Sequence, residues 1–224
     1  MTTLARILVI VLLPFFLLLS SARVVMTQAY VRWEYGRPDF PPATRMDPRE
    51  RLINALTSLD FVTGAASEAD FRDLRVRGAP AWNEREVKHM IDVRVVIRNI
   101  FTFYPVVSLL LLASLLVLRG RRAARALQLG SLFTVVLLAA LGVFAAVSFD
   151  QFFTLFHGLF FEGDTWIFSY EDTLIQLFPL PFWYDAALII VGSTIGLALL
   201  IAAVAAWALR GSPAGRGAYR PRSI

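Results

Sequence analysis

The chain has 224 residues, of which 57% are hydrophobic, with a mean hydropathy of +0.62 and a net charge of +5 at pH 7. This composition is too apolar for an ordinary soluble domain and indicates an integral membrane protein. Cysteine is absent, which excludes a disulfide framework, a thiol nucleophile and a lipid-modified cysteine in the chain itself.

Four apolar stretches have about the 20 residues that a helix needs to cross a bilayer. They cover residues 4–22, 99–118, 127–148 and 186–209. The sequence therefore predicts an all-α membrane protein with four transmembrane helices in a single membrane domain. The first stretch is interrupted by Pro14 and ends in small residues, so a cleaved signal peptide is the alternative to a retained anchor.

The charged residues predict the orientation of these helices. Nine arginines and no acid occupy the N-terminal end, the linker between the second and third stretches, and the tail 210–224. All 17 acidic residues lie in the two long connections. Because short basic segments stay in the cytoplasm, we expect both termini and the basic tail inside and the two connections outside. The net positive charge then reflects topology and not nucleic-acid binding.

The first connection, residues 23–98, is predicted to form a small extracytoplasmic helical cap. An aspartate, a proline and a glutamate at 47, 48 and 50 predict a helix that begins at Pro48 and ends near Gly64. Residues 67–70 predict a second short helix. Residues 83–86 predict a third, with no breaker before the second span, so that one helix of about 35 residues would enter the membrane.

The second connection, residues 149–185, holds 13 of the chain's 29 aromatic residues, six acids and no lysine or arginine. Its first phenylalanines recur at helical spacing, which is typical of an interfacial or re-entrant helix at the lipid–water boundary. In the fourth span, Gly192 and Gly196 form a pair of small residues that suggests helix packing.

The only two histidines, His89 and His157, lie in these two connections. Imidazole is the main group in this chain that exchanges protons near neutral pH, so both are candidate catalytic residues. His89 shares a helix face with Asp92, three residues further on.

Both histidines lie in motifs that resemble those of the bacterial lipoprotein intramolecular transacylase family (Lit), a family of four-span membrane proteins. The motifs are residues 86–93 (EVKHMIDV), residues 156–166 (FHGLFFEGDTW) and the run 172–179 (DTLIQLFP). Two positions depart from the family pattern: Gly163 replaces an asparagine, and Leu180 replaces an acid.

The resemblance implies a reaction on a diacylated bacterial lipoprotein at the outer face of the cytoplasmic membrane. The sn-2 acyl chain of the diacylglyceryl-cysteine moves to the α-amino group of the same cysteine. The substrate supplies the nucleophile, so neither a protein nucleophile nor a cofactor is expected, and the partners are the lipoprotein and membrane lipid.

We assign His89 as the general base and His157 as the acid or oxyanion stabiliser, with the reverse order left open. Asp92 would orient His89 or hold the substrate ammonium. The further candidates for binding or orienting the substrate are Glu86, Asp164 and Trp166.

Two other functions remain open from the sequence. One is a metal-dependent membrane hydrolase that uses His89, Asp92, His157 and Asp164 as ligands, although the transacylase interpretation requires no metal. The other is a non-catalytic sensor or scaffold whose cap binds a partner protein.

Overall fold

The computed structural model describes residues 1–210, so most of the predicted basic tail lies outside the described residues. Four helices are long and apolar enough to cross a membrane, which confirms the predicted four-span fold. They are α1 (Thr2–Val25), α5 (Glu84–Leu118), α6 (Gly120–Val147) and α9 (Leu180–Arg210). The shorter elements are α2 (Gln28–Tyr35), α3 (Pro48–Thr63), α4 (Glu68–Arg72), β1 (Arg75–Val76), β2 (Ala79–Pro80), α7 (Phe149–Gly158) and α8 (Thr173–Leu177).

Helix α1 lies at the centre of the bundle, where it packs against α5, α6 and α9. Its buried face presents Val9, Leu13 and Leu17 to the other three helices. The helix continues through Pro14, contrary to the predicted interruption. Neighbouring helices in an apolar bundle hold such a segment in place although proline removes one backbone hydrogen bond.

Three helices of the cap region, α3, α4 and α5, begin where the sequence predicts, whereas α2 was not predicted. Asp47 caps α3 by accepting hydrogen bonds from two backbone N–H groups of its first turn, and Gly64 ends α3 with a φ of 89°. Ser67 and Asp70 form a reciprocal capping box at α4. Asn83 and Glu86 form another at α5, which then runs for 35 residues without a break.

A two-stranded antiparallel hairpin in the cap was not predicted. Val76 pairs with Ala79, and the turn between them places Arg77 and Gly78 at positive φ. Glycine adopts this conformation without steric cost at Gly78, whereas Arg77 adopts it as a non-glycine residue.

The second connection is part of the same core as the cap. In the cap, Phe71 stacks between Phe61 and Trp82, with ring centres 4.5 and 4.6 Å away. The buried side chains of α8 and the start of α9 continue this cluster. The hydroxyls of Tyr30 and Tyr35 donate to the backbone carbonyls of Phe182 and Leu177, at 2.9 and 2.7 Å. These contacts hold the segment after α7 against the cap.

The close helix approach occurs at a glycine other than the predicted pair. A Cβ atom at Gly192 or Gly196 would meet nothing within 4 Å among the described residues. A Cβ at Gly130 of α6 would lie 3.1 Å from Leu13 and 3.3 Å from the backbone of Ile10. Helix packing therefore depends on Gly130, where α6 crosses the central helix α1.

Candidate active site

His89 lies in the second turn of α5 and faces the chain that follows α7. Its ring centre is 4.9 Å from that of Phe161 and 5.1 Å from that of Phe168. The residue is 8% exposed, and its Nδ1 atom is buried without a hydrogen-bond partner among the described residues. His89 is therefore a nearly dry imidazole enclosed by aromatic rings.

His157 lies in the last turn of α7, between two aromatic side chains. Its ring centre is 4.0 Å from that of Phe153 and 4.9 Å from that of Trp166, which stacks on it with an interplanar angle of 26°. Its Nδ1 atom lies 2.8 Å from the carbonyl oxygen of Phe153. A carbonyl only accepts hydrogen bonds, so this contact assigns the hydrogen to Nδ1 and leaves the lone pair on Nε2.

Phe161 brings the two imidazoles together. Its ring centre lies 4.9 Å from that of His89 and 5.9 Å from that of His157. The chain separates these histidines by the whole of α6, yet they contact the same ring. The structure thus places the two predicted catalytic candidates in one cluster of aromatic rings, called the pocket below.

Burial governs the protonation of both histidines, which lie outside the apolar stretches that cross the membrane. Burial, and secondarily the proximity of His157, lowers the pKa of His89 to about 4. Burial also lowers the pKa of His157, an effect that its bond to the Phe153 carbonyl opposes. Both rings are therefore neutral at pH 7 in this pocket.

Hydrogen bonds and an ion pair join the start of α5 to the start of α8 and position His89. Glu86, 2% exposed, accepts hydrogen bonds from the backbone N–H groups of Asn83 and Leu174, at 3.0 and 2.8 Å. Asp172 accepts from the side chain of Asn83 at 3.1 Å and pairs with Arg85 at 3.0 Å. Burial raises the pKa of Glu86, and the two backbone donors oppose this shift. Glu86 lies one turn before His89, and its carboxylate thus accepts hydrogen bonds from backbone groups at the starts of both helices.

The two predicted aspartates contact neither imidazole. Asp92 forms no hydrogen bond with His89, whose Nδ1 stays unpaired. Asp164 is exposed, and its backbone carbonyl accepts a turn hydrogen bond from Ile167. Residues 1–210 contain no group of three or more His, Asp or Glu side chains placed to hold a metal ion. The four-ligand site of the hydrolase alternative is therefore not assembled.

Three residues of this pocket were not among the predicted site residues, although two of them, Phe161 and Asp172, lie within the quoted motifs. Phe161 and Phe168 contact His89, and Asp172 fixes the neighbouring turn. The signal available for Phe161 was its spacing of four from His157, but in an aromatic-rich segment that spacing does not distinguish a pocket residue from a membrane anchor.

Comparison with known proteins identifies the family. The profile of the lipoprotein intramolecular transacylase Lit matches residues 7–183, a range that includes both histidines and all three motifs. The chain belongs to the Lit family. Family membership assigns it the activity of intramolecular acyl transfer on lipoproteins, which makes it an acyltransferase.

The chain is also similar to individual proteins. An uncharacterized protein of Aquifex aeolicus (strain VF5) is 32% identical over 192 residues, which cover 85% of this chain and 88% of that protein. The in meso structure of the membrane-integral lipoprotein intramolecular transacylase Lit from Bacillus cereus is similar with a TM-score of 0.72 and 21% identity, covering 94% of this chain and 96% of the other. A second structure of that protein, with one histidine replaced by arginine, has a TM-score of 0.71 and 21% identity, with 94% and 92% coverage. The structural likeness establishes the four-span membrane fold.

Proposed function

We propose that this Lit family member transfers the sn-2 acyl chain of a diacylglyceryl-cysteine to the α-amino group of the same residue. A carbon–nitrogen amide bond forms, the ester carbon–oxygen bond breaks, and the proton lost by the amine ends on the glyceryl oxygen. The observation that carries the proposal is the contact of both imidazoles with Phe161. Two neutral imidazoles in one pocket supply a proton acceptor and a hydrogen-bond donor, the two groups that this transfer needs.

The substrate contributes much of the rate enhancement. The α-amino group has a pKa of about 7.7–8.0 and must lose a proton before it attacks. Because amine and ester belong to one bound molecule, the attack is intramolecular, and well-oriented intramolecular reactions gain about 7–11 kcal/mol over bimolecular ones. The protein therefore has to orient the lipid, take one proton and stabilise one oxyanion.

His157 is the better candidate for the general base, which reverses the order we preferred from the sequence. Its bond to the Phe153 carbonyl holds the hydrogen on Nδ1 and directs the Nε2 lone pair away from α7. A fixed tautomer with a free lone pair suits proton removal from the substrate amine. Trp166 holds the ring in this orientation by stacking on it.

His89 then stabilises the tetrahedral oxyanion. Its pKa of about 4 keeps it neutral, and a neutral imidazole carries one N–H that donates to an oxyanion in a water-poor pocket. Glu86 holds its helix turn in place through the backbone. Asp92 makes no bond to His89, so its proposed role is to hold the substrate ammonium. Asp164 is a proposed substrate contact at the exposed edge of the site.

The proposed location follows from the charges of the chain, and the proposed substrate from its family. The site would face the outer surface of the bacterial cytoplasmic membrane, with both termini in the cytoplasm, because the basic linker between α5 and α6 lies at the opposite end of the spans from the cap. A mature diacylated lipoprotein presents its ester and its free amine at that surface, and membrane lipid surrounds it. The central position of α1 supports its retention as a span.

Mass spectrometry of the lipoprotein N-terminus tests this function. Purified full-length protein in lipid bilayers would be incubated with a diacylated lipopeptide, and the N-acyl product with one remaining glyceryl ester would be measured. We expect His157→Ala and His89→Ala each to lower product formation by about 10²–10⁴-fold, the usual contribution of a positioned proton-transfer or oxyanion group. Gln151→Ala, an exposed change on the same helix as His157, serves as the control and should retain activity.

Two results would contradict the proposal. Release of free fatty acid without N-acyl product would indicate a hydrolase. Full activity of both histidine variants would show that acyl transfer requires neither His89 nor His157.

A further inference from the structure

Arg23 and Arg98 lie where α1 and α5 leave their apolar stretches. Arg23 is in the last turn of α1, and Arg98 directly precedes the apolar stretch 99–118. Both side chains are exposed. Neither guanidinium forms an ion pair with an acidic side chain of residues 1–210. Two cations therefore sit at one edge of the bundle without a protein counter-charge.

Aromatic rings of α5 hold the Arg23 guanidinium in place. Its central carbon is 4.6 Å from the ring centre of Phe101 and 5.0 Å from that of Tyr104. Tyr104 is itself fixed, because its hydroxyl shares a 2.8 Å hydrogen bond with Ser20 and its ring stacks on Phe16. A guanidinium over aromatic rings still has its N–H donors available in the plane, in the fork geometry that suits a bidentate anion.

The depth of this guanidinium identifies the anion. Phe101 and Tyr104 lie three and six residues beyond Arg98 along α5, in the first two turns of the apolar stretch, so the Arg23 guanidinium over their rings lies within roughly 4–9 Å of the boundary that Arg98 marks. A cation at this boundary is costly unless an anion accompanies it. The anion that a bilayer offers at this level is the phosphate of a glycerophospholipid.

We infer that Arg23 and Arg98 form a binding site for the phosphate of a membrane glycerophospholipid. Arg23 donates from its aromatic platform, and Arg98, one helical turn above Phe101, supplies the second cation. The diacylglyceryl group of the proposed substrate carries no phosphate, so this lipid is a bound membrane component and not the acyl donor. Its acyl chains would cover the seam between α1 and α5.

Native mass spectrometry of the full-length protein tests the site. The protein in mild detergent would be titrated with phosphatidylglycerol, with diacylglycerol of the same acyl chains, and with inorganic phosphate. We expect the wild type to retain one phosphatidylglycerol more tightly than diacylglycerol. Arg23→Gln should weaken this binding about tenfold or more, the loss expected for a charge-assisted hydrogen bond. Arg32→Gln, which neutralises an exposed arginine of the cap, is the matched control and should bind as the wild type does.

Arg98→Gln provides a second variant in case loss of the Arg23 side chain prevents folding, since the Arg98 guanidinium lies over no aromatic ring of residues 1–210. Equal retention of phosphatidylglycerol by the wild type, Arg23→Gln and Arg98→Gln would overturn the inference. Inorganic phosphate that binds as tightly as the lipid would overturn the assignment to a phospholipid. Because the readout is lipid retention, the result does not depend on acyl transfer.

Discussion

His89 and His157 have the same side chain but different environments. His157 is stacked between Phe153 and Trp166 and has one nitrogen committed to a carbonyl. His89 is buried against aromatic rings with Nδ1 unpaired. A fixed tautomer favours proton removal, whereas an unpaired neutral ring in a dry pocket favours electrostatic stabilisation. These environments, and not the sequence motifs, support the division of roles proposed above.

The pH dependence of acyl transfer should report the environment of His157. Below pH 8 the rate falls because the substrate amine becomes protonated. Below the pKa of His157 the rate falls more steeply, because the protonated imidazole can no longer accept a proton from the amine. Burial lowers that pKa, so the second break lies below about 6.5. Trp166→Ala admits water beside the ring, which raises the pKa and moves the break to higher pH. The measurement is the rate of N-acyl product formation between pH 4 and 8.

Trp183→Ala makes the same chemical change at an exposed tryptophan of α9 that contacts neither histidine. Its profile should match the wild type. A break that stays in place in Trp166→Ala, or moves equally in both variants, would contradict the assignment of His157 as the base.

At the scale of elements, α6 and α1 depend on one close contact. A Cβ atom at Gly130 would lie only 3.1 Å from the side chain of Leu13 and 3.3 Å from the backbone of Ile10, so these neighbours would have to shift by a few tenths of an ångström. A Cβ atom at Gly196 of α9 would meet no atom of the described residues within 4 Å. The two glycines therefore differ in their contribution to helix packing, although each lies inside an apolar helix.

Alanine substitution separates the two glycines. Gly130→Ala should destabilise the protein by about 1–3 kcal/mol, because the packed atoms of α1 next to the new methyl group must shift to admit it. Gly196→Ala should be neutral or stabilising by up to about 1 kcal/mol, since alanine has the higher helix propensity. The temperature midpoint of unfolding in detergent measures both. Equal midpoints for the two variants would show that α6 does not approach α1 this closely.

The elements around the pocket form a connected unit. Glu86 contributes to the capping box of α5 and also accepts a hydrogen bond from the first turn of α8. Asp172, at the start of α8, binds Asn83 and Arg85 at the start of α5. These bonds hold the start of α5, which carries His89, against the end of the segment that carries His157 and Trp166. This tie explains how two connections far apart in the chain form one pocket.

At the scale of the whole molecule, the proposed orientation leads to a labelling experiment. The chain has no cysteine, so single cysteines can be introduced without removing native ones. Ala65→Cys in the cap should react with a membrane-impermeant maleimide in intact cells, because we propose that the cap lies outside. Arg122→Cys, in the first turn of α6, should react only after permeabilisation. The reverse pattern would place the active site on the cytoplasmic side.

The sequence by itself determined the features that depend on local chemistry. Long apolar stretches specify four spans because a bilayer excludes unpaired backbone groups. Asp47, Ser67 and Asn83 specify helix starts because their side chains bond to N–H groups only two or three residues away. The motifs around both histidines led to the correct family for the same reason, since they are contiguous in the chain.

The tertiary structure alone decided which distant residues meet. Packing of the segment after α7 against the cap brings Phe161 to both imidazoles, leaves Asp92 unbonded to His89, and joins Glu86 to α8. It also selects Gly130, and not Gly192 or Gly196, as the close contact between helices. Such contacts depend on the relative rotation and position of whole helices, and these follow from the packing of all side chains together.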